Sequence, residues 1–137
     1  MLLKTRINLK LVGTVMLGGR SVILVVDDEE RIRNIIGEQL LEDGYEVLLA
    51  TDGDKAWEAL QGDIVIDLIL TDVRMPGSIN GIDLIEKALA HRPSLRSIIM
   101  SGYTNEAAKR VKVADTFIQK PFSLISLSRS ISQILSR

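Results

Sequence analysis

The chain has 137 residues, 46% of them hydrophobic, and a formal net charge of −1, which sets it among single-domain globular proteins and excludes disordered and fibrous classes. Acidic and basic residues are interspersed, so the broad basic field that general nucleic-acid binding needs is missing. It has no cysteine, which excludes disulfides, thiolate nucleophiles and thiolate metal sites, fits a reducing cytoplasm, and leaves oxygen ligands for any metal.

Residues 1–20 carry Lys4, Arg6 and Lys10 ahead of a short apolar run at 11–17. This faintly imitates a signal peptide. The run is far too short to span a bilayer, and Gly18-Gly19-Arg20 is a poor cleavage site. The expectation is a cytoplasmic N-terminal extension over 1–20, followed by one domain over 21–137, with no membrane association.

From Ser21 onward, apolar runs of strand length alternate with amphipathic stretches of helix length, the pattern of a parallel sheet covered by helices on both faces. The run VILVV (22–26) reads as a buried strand. Ile32, Ile35, Ile36 and Leu40 then recur at helical spacing, and Gly44 is placed to stop that helix in the left-handed conformation, giving a first helix over about 30–43. YEVLLA (45–50) is the second strand, and Asp52 caps a helix carrying Ala56, Trp57 and Leu60. IDLILT (66–71) is the third strand. After Met75-Pro76-Gly77, Ile82, Ile85, Ala88 and Leu89 mark a third helix ended by Pro93, and RSIIM (96–100) is the fourth strand. A short fourth helix is expected at 104–112 and the last strand at 116–119. Ser123 caps a final helix with Leu124, Leu127, Ile131, Ile134 and Leu135 on one stripe. No internal repeat, low-complexity tract or long linker marks a second domain.

In an open parallel sheet, functional groups gather beyond the carboxyl ends of the strands. Strand one ends in Asp27 and Asp28, strand three in Asp72, strand four in Ser101, and strand five in Lys120 before Pro121. Three clustered carboxylates repel one another, and a hard cation such as Mg2+ relieves that through oxygen. With the Lys120 cation and the Ser101 hydroxyl, the pocket has what a phosphoryl group needs, and Asp72, already ionised near neutral pH, is the candidate nucleophile. Taken singly, each feature has a plainer reading: Asp-Asp-Glu-Glu as a helix start favoured by the dipole, Met-Pro-Gly as a turn, Lys120 as a surface charge. Their joint placement at four strand ends is what favours one site. The single histidine, His91, falls at the far end of a helix and reads as a helix-end cation.

The motifs VVDDE, TDVRMPG…NG, MSGYT and KPF, in order and near-family spacing, resemble the receiver domains of two-component response regulators over roughly residues 22–135. The resemblance implies a flavodoxin-like (βα)5 doubly wound parallel sheet, strand order 2-1-3-4-5, in three α/β/α layers. It implies that Asp72 accepts a phosphoryl group from a histidine kinase or phosphotransfer protein, that Asp27, Asp28, Asp72 and the Arg74 backbone carbonyl hold Mg2+, and that Ser101 and Lys120 contact the phosphoryl oxygens. Phe117 falls at the aromatic switch position, and Arg74 where members differ in dephosphorylation rate. A downstream protein target follows, a phosphorylation-dependent homodimer stays open, and no enzymatic activity on other substrates is implied. Two rivals are weighed: a receiver-like binding module that is never phosphorylated, and a haloacid-dehalogenase-type phosphatase. The latter wants two aspartates one residue apart, whereas here they are adjacent, with Glu29 next. Two departures stand out: a loop after Asp72 one residue longer than the common form, with Ser78 and Ile79 before Asn80-Gly81, and a short segment between Ser101 and Lys120.

Overall fold

A computed structural model of the chain describes residues 4–6, 20–102 and 114–136. In chain order these form β1 (Lys4–Arg6), β2 (Val22–Val26), α1 (Glu30–Glu42), β3 (Glu46–Ala50), α2 (Gly53–Leu60), β4 (Leu68–Asp72), α3 (Gly81–His91), β5 (Arg96–Ser101), β6 (Thr116–Gln119) and α4 (Leu124–Leu135). The helix expected at 104–112 lies outside the described residues.

The strands make one sheet in the order β1-β3-β2-β4-β5-β6. Its last five strands are parallel, and in their own sequence they run 2-1-3-4-5, the expected doubly wound order. The first strand was not foreseen. β1 adds antiparallel to the edge of β3, with Lys4 opposite Leu49 and Arg6 opposite Val47, so the N-terminal segment occupies an edge whose backbone groups would otherwise face solvent.

Successive strand residues point to opposite faces, and both faces here are apolar because helices cover both. Leu24, Val26, Leu48 and Ile69 pack with Ala56 and Leu60 of α2 and Leu84, Ile85 and Ala88 of α3. Ile23, Val25, Val47, Leu49, Leu68 and Leu70 pack with Ile36 and Leu40 of α1 and Leu127, Ile131 and Ile134 of α4. Ile23, Leu24, Leu68, Ile69 and Leu70 are fully buried, and each such side chain contributes about 1.5–3 kcal/mol of transfer free energy. These two central strands, β2 and β4, are thereby fixed in place, and so are the residues at their ends.

The helix boundaries follow local chemistry. The Asp52 carboxylate accepts from the Lys55 amide, Asn80 from Asp83, and the Ser123 hydroxyl from Ser126, each satisfying a free amide of a first turn. Gly44 stops α1 with φ +98, a conformation that costs glycine little. α1 has no such side-chain cap at Glu29. Its entrance is organised instead by the acidic turn that precedes it.

Candidate functional site

The parallel register brings the ends of β2, β4, β5 and β6 to one edge of the sheet. Val26 pairs with Thr71, Asp72 with Met100, and Ser101 with Gln119. Asp27 follows β2, Asp72 closes β4, and Lys120 directly follows β6 and precedes Pro121 through a cis peptide. The Lys120 amide donates to the Ser101 carbonyl at 2.6 Å, which ties the last two strand ends together.

The Lys120 ammonium lies 3.0 Å from Asp27 Oδ2 and 3.0 Å from Asp72 Oδ2. One cation thus bridges carboxylates that stand 45 positions apart in the sequence. Asp27 is wholly buried; its Oδ1 accepts from the Glu29 amide at 2.9 Å. Asp72 Oδ1 accepts from the Val73 amide at 2.7 Å. Asp28 is exposed, yet it offers a carboxylate oxygen that lies, with one each from Asp27 and Asp72, within a mutual 4.8 Å. Three hard oxygen donors so close, with Lys120 the one cation bonded to them among the described residues, fit Mg2+, which takes oxygen ligands and keeps several waters.

Burial raises the Asp72 carboxyl above its ordinary range; the Lys120 hydrogen bond and charge pull it down, and the Asp27 charge pushes it further up. Burial is the largest influence, so ionising Asp72 in the folded chain carries a cost. Burial also pulls the Lys120 ammonium down, but its bonds to Asp27 and Asp72 together outweigh this and leave it raised. Lys120 is a firm cation. The arrangement is a partly buried carboxylate, held by a fixed positive charge, beside two more acids.

The remaining foreseen residues take different places. Ser101 is buried at the end of β5. Phe117 lies in β6, three residues before Lys120, half-buried against the core on the α2–α3 side. Arg74 is exposed in the loop after β4. His91 closes α3, edge-on to Trp57 with ring centroids 5.9 Å apart, at the other end of the strands from the acidic cluster.

Three features escape a reading by motif. Thr71 is fully buried, and its hydroxyl donates to the Asp72 carbonyl at 2.9 Å. Arg33 is buried in α1, and its Nη1 donates to the Asp27 carbonyl at 2.8 Å. The long loop after Asp72 is fastened to α2, where Asp54 accepts from the Ser78 hydroxyl at 2.7 Å and from its amide at 3.2 Å. The two Ser78 bonds hold the Asp54 carboxyl below its ordinary range. Ile79, the next residue, is buried in the core. The extra loop residue is therefore anchored on both sides. Replacement of Asp54 by alanine is expected to speed hydrogen exchange at the Ser78 amide while barely moving the urea midpoint, because the group is exposed; unchanged Ser78 exchange would show that the anchor has no effect.

Residues 23–132 match the response regulator receiver domain family. Response regulator RR06 of Streptococcus pneumoniae is 35% identical over 118 residues, which cover 84% of this chain and 53% of that protein. Sensor kinase CckA of Brucella abortus is 32% identical over 127 residues, 88% of this chain and 13% of the kinase. The chain thus spans about half or less of these curated relatives. Among solved structures, response regulator protein TrrA of Thermotoga maritima in complex with Mg(2+)-BeF superimposes with a TM-score of 0.74 at 29% identity, covering 83% of this chain and 98% of that one. A doubly wound sheet with three carboxylates and a lysine at its strand ends, matched to that profile over most of its length, makes this chain a member of the response regulator receiver domain family.

Proposed function

We propose that Asp72 is the phosphoryl acceptor of this receiver domain and that its donor is a phosphohistidine on a histidine kinase or phosphotransfer protein. The observation that carries the reading is the double contact of Lys120 with Asp27 and Asp72, since a half-buried cation fixed beside a carboxylate is the arrangement that stabilises charge developing on a transferred phosphoryl group. In the transfer, the bond from an Asp72 carboxylate oxygen to phosphorus forms as the phosphorus–nitrogen bond of the donor imidazole breaks, and the imidazole leaves with the bonding pair. Asp27, Asp28, Asp72 and the Arg74 backbone carbonyl are the residues that would hold Mg2+, as TrrA supports by likeness. When bound, the ion supplies charge neutralisation to the phosphoryl oxygens.

Lys120 then exchanges one carboxylate partner for a phosphoryl oxygen, and Ser101, reaching it from the neighbouring strand end, donates a hydrogen bond. Phe117 is the switch residue that follows Ser101 inward, and the surface of β6 and α4 is the output face. Arg74 sets phosphoryl lifetime from the pocket mouth. To move such a two-state domain from 1% to 99% active, phosphorylation must favour the active state by about 5.5 kcal/mol. A cleft of about 470 Å3 lined by Ile32, Ile35, Phe122 and Leu124 opens beside Lys120 and offers the donor protein an apolar seat next to the acceptor. Among the described residues no helix is long and apolar enough to cross a membrane, and we place the domain with its kinase in the cytoplasm, as a signalling domain and not an enzyme acting on other substrates.

Intact mass after incubation with acetyl phosphate and Mg2+ tests this reading. A single phosphoryl adduct is expected in the wild type and none in Asp72→Asn or after chelation. An adduct that persists in Asp72→Asn would remove Asp72 from its role. No adduct in a folded wild type would favour a binding module that works without phosphorylation.

A further inference from the structure

Arg33 sits on the inward face of α1 with Ile36, Gly37 and Leu40, where an aliphatic side chain would be the cheaper occupant. It is only 5% exposed. A buried guanidinium is costly unless its charge and donors are used, and among the described residues no carboxylate pairs with it. Its Nε is buried with no hydrogen-bond partner among them, while Nη1 donates to the Asp27 carbonyl at 2.8 Å. That carbonyl lies one residue beyond the register of β2 and ahead of the first turn of α1. The one strong bond of this buried cation therefore goes to the backbone of the acidic turn.

Asp27 is held from four sides. Its amide donates to the Ala50 carbonyl at 3.3 Å, Oδ1 takes the Glu29 amide, Oδ2 takes Lys120, and its carbonyl takes Arg33. The Glu29 bond closes a turn over the peptide between Asp27 and Asp28 but leaves that peptide's own carbonyl unbonded. Arg33 adds the bond to the carbonyl, and it does so with a rigid, planar donor carried on a helix.

We infer that Arg33 is a positioning residue for the acidic pocket: by holding the Asp27 carbonyl it sets the turn from which Asp27 and Asp28 present their carboxylates side by side to a divalent cation. The inference rests on the reading of Asp27, Asp28 and Asp72 as the Mg2+ site. It assigns Arg33 no contact with the ion or the phosphoryl group.

The test compares wild type, Arg33→Met and Arg33→Lys as full chains, by calorimetric titration with MgCl2 and by urea unfolding in chelator. Partners behind metal ligands typically contribute about 10–100-fold in affinity, so folded Arg33→Met is expected to bind Mg2+ at least about tenfold more weakly, with Arg33→Lys recovering part of the loss. Hydrogen exchange at the Glu29 amide in metal-free protein is expected to rise in Arg33→Met. A lower urea midpoint with wild-type Mg2+ affinity would overturn the assignment, because a purely structural arginine moves the first quantity alone. If Arg33→Met does not fold, Arg33→Lys decides, as it keeps the charge and loses the fork: weakened binding supports the inference and wild-type affinity overturns it. A wild type that binds no Mg2+ removes the underlying site reading and the inference with it, and is read from that sample alone.

Discussion

Lys120→Met is expected to slow phosphoryl acceptance at Asp72 by about 10²–10³-fold, the effect of removing one preorganised donor from a site of developing negative charge. The same change is expected to lower metal-free stability by on the order of 3 kcal/mol, because among the described residues it leaves the wholly buried Asp27 carboxylate beside that of Asp72 with no cation bonded to either. Both effects come from one nitrogen placed 3.0 Å from two carboxylates. Asp72→Asn is expected to act in the opposite direction on stability. Burial raises the Asp72 carboxyl in the folded chain, so the stability tied to that group is fully present below its unfolded range and is lost as pH rises through the folded value. Above that folded value the ionised carboxylate is a burden, and the amide relieves it. In chelator, urea midpoints at pH 7 should rank Asp72→Asn above wild type and wild type above Lys120→Met, with Asp72→Asn losing its advantage as pH falls. A Lys120→Met protein as stable and as readily phosphorylated as wild type would show that the lysine is a bystander.

The strand ends were legible because buried parallel strands are continuous apolar runs, and whatever polar residue ends such a run is displayed at the sheet edge. Asp27, Asp72, Ser101 and Lys120 could be placed together on that ground, and Gly44, Asp52 and Ser123 marked helix limits through chemistry that acts over three or four residues. Arg33 was illegible for the complementary reason. Its neighbours Ile32, Ile35 and Ile36 outline an apolar stripe, and nothing local says that a guanidinium turns under that stripe to reach a carbonyl six residues back. The strand Lys4–Arg6 has three residues and no alternation of its own; it exists as the partner of the β3 edge. The Asp54–Ser78 link joins residues 24 apart, and no period in the sequence connects them. Extra length in the loop after Asp72 could be counted, but the fastening that makes it harmless belongs to the tertiary structure.

That loop closes against Asp72 at Gly81, and Gly81→Ala is the substitution expected to cost most among the glycines. A Cβ there would fall 2.0 Å from the Asp72 carbonyl oxygen, 2.9 Å from its carbonyl carbon and 3.0 Å from Val73 Cα. All three atoms are backbone, so no side chain can swing aside. Nor can Gly81 retreat freely, since its amide donates to the Val73 carbonyl at 2.9 Å and it opens α3. The destabilisation should reach about 3 kcal/mol, the upper end of overpacking costs, whereas Gly62→Ala, whose Cβ would be 3.4 Å from the Ala59 carbonyl oxygen, should stay within about 0.5 kcal/mol. The position of the clash makes a second effect separable from the first. Gly53→Ala also drives a Cβ onto backbone, 2.4 Å from the Ile79 carbonyl oxygen, but at the far side of the loop from Asp72. Both variants should lower the urea midpoint, and only Gly81→Ala should also reduce the yield of phosphoryl adduct per folded molecule, because the atom it displaces belongs to Asp72, the proposed acceptor. Equal adduct yields from the two folded variants would mean that the Asp72 carboxylate tolerates movement of its own backbone, and that Lys120, gripping it from β6, is what keeps it in place.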